Sequence, residues 1–334
     1  TLIADENLMV RASVLNQLRR EALERLTELW ETEQKNGARK RREQTLTEAA
    51  RRMTVAANED DGGVDDANAG DEGAAALPER GRRSLYLFRT DDESLTLAQT
   101  ADFDRFYVSY QVFLDGEKRR KLQELVRKGK QVFAWLPSIT QGREHRFIEA
   151  NREAIVEAIR EVPGAGLAVN NLGQIRAFRN CGISLYGDYG LNLYNSADFA
   201  WAKAQGLAGA VVCHEAFDNG FPNPMEELPH LCGLEGETVI GGRIPLMISA
   251  HCPIGDATGC RGPKDGVGAC DGGRYALRDR KGRSYPLLTE KLDCRTVIFS
   301  EAFSCDVNAA TKEYGRMGYA VRVYALDPAD LSNL

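Results

Sequence analysis

Apolar and polar residues follow two different spacings along this chain, and the change falls near residue 83. In the first stretch Leu15, Leu18, Ala22, Leu26 and Leu29 recur at helical intervals with Arg and Glu between them, the pattern of one buried helix face. Ser13 is placed to cap that helix, because its hydroxyl can accept a backbone N–H of the first turn. The stripe is expected to pack against a neighbouring domain. After the basic run Arg39, Lys40, Arg41 and Arg42, the tract from Asn58 to Arg82 carries acids and glycines and almost no large apolar residue. Such a tract cannot bury enough surface to offset chain entropy, so it is expected to be a disordered linker. The expected division is a helical segment at 1–55, the linker at 56–82 and one domain at 83–334.

Beyond the linker, short apolar runs alternate with amphipathic stretches. SLYLF, FYVSYQVFL, QVFAWL, GLAV, GISLYG, GAVV, TVIG and PLMIS read as strands. Helices are clearest at Glu117–Lys128, Glu144–Val162 and Ser196–Gln205. Strands alternating with helices indicate an α/β domain with a mainly parallel sheet, and seven or eight such units predict a parallel (βα) barrel-like domain. An open doubly wound sheet is the alternative. The sequence contains neither a Gly-x-Gly-x-x-Gly turn nor a P-loop, so a dinucleotide or nucleotide-phosphate site finds no support.

Composition sets the broad class and changes little else. The chain has 334 residues, 43% hydrophobic and 28% charged, which is ordinary for a globular protein. No apolar run approaches the ~20 residues needed to cross a bilayer, so no membrane partner is expected. A net charge of -6 argues against a protein that coats nucleic acid nonspecifically. Arg119, Arg120, Lys121, Arg127, Lys128 and Lys130 could still form a basic patch, although a solvated helix face explains them as well. Eight cysteines without an apolar leader fit a reducing cytoplasm.

Those cysteines carry the candidate chemistry. Cys252, Cys260, Cys270 and Cys294 are separated by seven, nine and 23 residues in a glycine-rich run. Thiolates must converge on a metal from several directions, and glycines let the backbone adopt the conformations this needs. Pro253 directly after Cys252 matches the Cys-Pro step of many iron–sulfur loops. Zinc is the weaker metal reading, since no gap is of the short Cys-x-x-Cys kind. Disulfides, or four inert core cysteines, remain the non-metal alternatives.

The barrel reading also gives the polar residues a geometry. Functional side chains in such barrels gather at the carboxyl ends of the strands. Asn170 and Asn171 follow GLAV, Asp188 follows GISLYG, and His214 with Glu215 follows GAVVC. Asn192 and Asn195 lie in the loop between, and His251 precedes Cys252. Asp188 and Glu215 are the candidate catalytic groups; Asn171, Asn192, Asn195 and His214 are the candidate substrate contacts. Asp188, Asn192 and Glu215 are expected to share one concave site with the cysteine loop. Helix capping and loop hydrogen bonding are the plainer roles for each of these residues.

Several of these segments resemble one family. DYGLNLYNSADFAWAKAQGLAGAVV is similar to a segment of peptidase family U32, the collagenase-like family. PLMISAHCPIG, the spaced cysteines, DRKGRSYPLL and CRTVIFSEA resemble its C-terminal region, and ASVLNQLRREALERL resembles the end of the middle domain of its longer members. Where relatives tend to have a Ser-x-Glu step, this chain has Cys213, His214 and Glu215. The resemblance implies an iron–sulfur cluster, of the 4Fe–4S kind, on Cys252, Cys260, Cys270 and Cys294, with Cys181, Cys213, Cys232 and Cys305 outside it. It implies hydroxylation of pyrimidines in transfer or ribosomal RNA, with prephenate or another small molecule as donor. A collagenase-like peptidase, or a noncatalytic module binding RNA or protein, is the alternative. No His-Glu-x-x-His motif and no Gly-x-Ser-x-Gly elbow supports proteolysis.

Overall fold

A computed structural model describes residues 17, 20–29, 32, 81–216, 234–262, 270, 273–290 and 292–333. The chain divides into two units, residues 1–74 and 75–334. In the first, residues 20–29 are helical as the periodicity predicts, but Leu23, Leu26 and Leu29 are more than half exposed. The expected linker lies outside the described residues except for Gly81 and Arg82. Arg82 is buried and pairs with Glu235, so it belongs to the folded domain.

In the second unit, parallel strands alternate with helices. The strands are β1 (Arg83–Leu87), β2 (Arg105–Ser109), β3 (Gln131–Trp135), β4 (Gly166–Val169), β5 (Ser184–Gly187), β6 (Leu207–Val211) and β7 (Glu235–Gly242). An insertion follows, made of β8 (Pro245–Ser249), β9 (Tyr275–Arg278), β10 (Ser284–Glu290) and β11 (Arg295–Phe299), which pair as an antiparallel sheet in the order β8-β11-β10-β9. The chain then returns as β12 (Tyr319–Ala325), which enters between β1 and β7 and closes an eight-stranded barrel. The fold is the parallel (βα) barrel expected from the alternation. Among the described residues no helix is long and apolar enough to cross a membrane.

Three elements differ from the sequence reading. FYVSYQVFL is a strand only to Ser109; Tyr110–Leu114 is a short helix whose first turn the Ser109 hydroxyl caps by accepting Gln111 N–H at 3.3 Å. The single helix expected at Glu144–Val162 is two, Gly142–Ala150 and Arg152–Arg160, broken at Asn151. PLMIS lies in the inserted sheet rather than the barrel, and the eighth barrel strand is YAVRVYA. That run was hidden by its central arginine.

Alternation along each strand sorts the side chains into two layers. Leu85, Phe106, Val108, Val132, Leu167, Val321 and Val323 face outward and pack under the helices. Tyr86, Tyr107, Phe133, Trp135, Ala168, Tyr186 and Tyr324 form the inner cluster. Both faces are covered, so these strands read as nearly continuous apolar runs. The inserted sheet lies over the inner cluster: Val297 and Phe299 join it, and the Phe299 ring meets Phe88 at 4.8 Å between centroids. The centre of the barrel's carboxyl-end mouth is therefore roofed by protein.

Candidate functional site

Under that roof the barrel interior is polar as well as aromatic. Glu237 accepts from Arg105 Nη1 at 2.6 Å, from Arg322 Nε at 2.6 Å and from Ser84 Oγ at 2.9 Å. Arg322 Nη1 also donates to Asp188 at 2.7 Å, and Arg105 Nη2 donates to Glu235 at 3.0 Å. With Arg82 on Glu235, three arginines face three carboxylates down the barrel axis. Burial alone would raise the Glu237 pKa, but Arg322 and Arg105 outweigh it and hold the carboxyl at about 2. Sequence reasoning missed Glu237, Arg105 and Arg322. The signal was there: a charged residue inside a strand covered on both faces must find its partner in the interior.

Asp188 belongs to this column. It is fully buried, and its carboxylate accepts from Arg322, from Tyr86 Oη at 2.9 Å, from Asn170 Nδ2 at 3.2 Å and from its neighbour's backbone N–H at 2.9 Å. His214 sits just above, its Nε2 3.2 Å from Tyr324 Oη and its ring stacked on Tyr189 at 5.8 Å. Burial, with Arg322 adding to it against Asp188, lowers the His214 pKa to about 4. The folded-state value thus lies below the ordinary ~6.5. Stability held by the neutral ring is complete above that ordinary value and is lost as pH falls toward 4. Melting scans from pH 7 to pH 4 should show a steeper loss in the native protein than in His214→Asn, and parallel curves would refute this.

The remaining polar candidates separate. Asn171 caps helix Leu172–Phe178 by accepting Gln174 N–H at 3.0 Å. Asn195 caps helix Ser196–Ala204 in a reciprocal box with Asp198. Asn192 is exposed, with a left-handed φ of 49°, and its side-chain oxygen is 3.8 Å from Cys213 Sγ. Glu215 is exposed in the short turn His214–Ala216, and His251 pairs with Asp256 at 2.9 Å.

The four spaced cysteines do come together. Cys252, Cys260, Cys270 and Cys294 line one cavity of about 360 Å3, with Arg143, His251 and Asp293 on its wall. Asp188, Asn192 and Glu215 do not line it, and neither do Cys181, Cys213 and Cys305. Cys232 and residues 263–269 of the loop lie outside the described residues. Cys252 begins helix Pro253–Thr258, its sulfur accepting Gly255 N–H at 3.3 Å. Cys294 adopts a left-handed φ of 55° that turns its thiol toward the cavity, and the Cys294 pKa is raised by burial and then by the nearby Cys252 and Cys260. The preceding residue fixes this turn. Asp293 accepts the backbone N–H groups of Arg143 and Glu144 at 2.9 and 3.0 Å, capping a helix whose own Gln141 makes no side-chain cap. Gly142, at φ 56°, permits that approach: a Cβ there would lie 2.8 Å from the Asp293 carboxylate.

The donor set suits a soft metal centre in kind, since thiolates select zinc or iron–sulfur clusters. Among the described residues, however, no three His, Cys, Asp or Glu side chains are grouped as ligands of a single ion.

No family model matches this sequence, and no curated protein matches it. Solved structures give faint likenesses. The U32 peptidase Mk0906 has a TM-score of 0.43 at 11% identity, over 78% of this chain and 98% of that one. The spore cortex-lytic enzyme SleL of Bacillus cereus has a TM-score of 0.37 at 10% identity, over 73% of this chain and 70% of that one. Xanthomonas albilineans dihydropteroate synthase has a TM-score of 0.31 at 12% identity, over 76% and 89%. Likenesses this shallow carry no argument about function.

Proposed function

We propose that this chain is an iron–sulfur protein of the U32 kind that takes part in hydroxylating pyrimidines in RNA. The observation that supports it most is the convergence of Cys252, Cys260, Cys270 and Cys294 on one cavity. Bound there, a cluster would supply the redox chemistry that no amino-acid side chain offers for oxidising a base. The protein's own part is positional. Asp293 locks the turn that aims Cys294, the helix begun by Cys252 holds the first thiol, and Arg143 places a positive charge on the wall to offset thiolate charge. The buried Arg–carboxylate column fixes the barrel beneath and is not itself open to substrate.

Two measurements test this together. Anaerobically purified or reconstituted protein should show the broad visible absorption of a cluster, with matching iron and sulfide. RNA nucleosides from cells with and without the gene, compared by mass spectrometry, should differ by one oxygen on a pyrimidine. A colourless protein that binds only zinc would remove the cluster. Unchanged nucleosides with gene-dependent peptide cleavage would favour the peptidase reading.

A further inference from the structure

A second cavity, of about 540 Å3, adjoins the first and shares Ile254, Cys270 and Thr289 with it. Its floor is made by the residues just after β1, β2 and β3, among them Arg89, Gln111 and Pro137, and the inserted sheet forms the other wall. This is the end of a parallel barrel where functional groups gather, displaced to one side because the centre is roofed. Its volume is in the range of small-molecule sites.

Two features of the wall bear on what the cavity could hold. Lys118, half-buried, lines the cavity and forms no ion pair within 4.0 Å among the described residues. Across from it are Glu144 and Glu290, both on one guanidinium: Arg295 Nη2 donates to Glu144 at 2.6 Å and Nε donates to Glu290 at 3.0 Å. Asp293 is 3.8 Å from the same Arg295. Arg143 also lies 3.9 Å from Asp293, which leaves Arg295 as the cation shared by Glu144 and Glu290, and with Glu144 buried one of these two keeps its proton. That one is Glu144, whose pKa is raised to about 9 by burial and then by Glu290; Asp293 adds to the rise and Arg295 opposes it. Tyr110 faces it from the neighbouring helix and remains neutral, and Arg143 is its chain neighbour.

We propose that this cavity binds a small organic anion, with Lys118 holding its charge and the protonated member of the Glu144–Glu290 pair donating it a hydrogen bond. The Glu144 O–H donates a hydrogen bond to a ligand oxygen and keeps its proton, because this carboxyl is a weaker acid than the conjugate acid of a carboxylate or phosphate ligand. No bond is made or broken in that contact. Cys270 lines both cavities, but Lys118 and Glu144 line only this one, so their variants test it separately from the cysteines.

Calorimetric titration of the full chain with benzoate and with phenyl phosphate tests it, the two probes separating carboxylate from phosphate recognition. At least one should bind at one site per chain. Lys118→Met should weaken it tenfold or more without moving the melting temperature. A ligand that accepts a hydrogen bond from the protonated form should bind about fourfold more weakly at pH 9.5 than at pH 7, as Glu144 ionises. Glu144→Gln, whose amide donates at every pH, should flatten that dependence. No binding by either probe, or affinity untouched by Lys118→Met, overturns the site. A pH profile unchanged in folded Glu144→Gln overturns the role of Glu144 as hydrogen-bond donor.

Discussion

Arg322→Met is expected to destabilise the barrel by about 3–5 kcal/mol, the usual cost of leaving buried charges without their partner. Methionine keeps much of the stem's volume but leaves Glu237 and Asp188 facing each other with one bridge removed. Both carboxylates are fully buried, so neither can turn to water. Urea unfolding should show the loss as a lower midpoint with unchanged slope. Adding Glu237→Gln and Asp188→Asn to the same chain should recover part of it, because the penalty comes from uncompensated charge rather than from the missing contact. A loss under about 1 kcal/mol, the scale of exposed pairs, would mean the column does not bear on stability.

Cys260→Ser is expected to strip most of the iron from reconstituted protein, while Cys181→Ser, Cys213→Ser and Cys305→Ser retain it. The first removes one of four thiols around the cavity; the others are elsewhere, with Cys213 against Asn192 and Cys305 against the Asp306 carbonyl. Thiolates are the standard cluster ligands, and a serine oxygen is a poor substitute. Iron and acid-labile sulfide assays on the four variants decide it. Full iron in Cys260→Ser would end the assignment.

The barrel was legible because short, nearly continuous apolar runs separated by helical stretches leave few other folds. The cysteine convergence was legible too, since Cys-Pro and glycine-rich spacing are local signals. What the sequence hid was long-range pairing. Glu237 meets Arg105 and Arg322 from strands 132 and 85 residues away, and no local pattern records such a meeting. Asp188 was picked out as a strand-end residue, yet its surroundings depend on Arg322 and on a roof built from the insertion. Glu144 looked like one of many helical acids. Its position against Glu290 and Arg295 exists only because β10 and β11 fold back over the barrel rim.

The late arrival of β12 has a consequence for how the chain is made. β12 pairs with β1 on one side and β7 on the other, so neither edge is satisfied until residues 319–325 have left the ribosome. Before then a nascent barrel of seven strands presents two open edges, the kind of template on which chains pair wrongly. It also contains Glu237 and Asp188 before the arginine that both of them share. Among the described residues four strands and two helices lie between β7 and β12, so closure is a non-local pairing, the kind that slows folding. A chain that stops between Gly242 and Tyr319 therefore leaves β1 and β7 without their shared partner, whereas the residues of β12 complete both the hydrogen-bond ring and its charge balance.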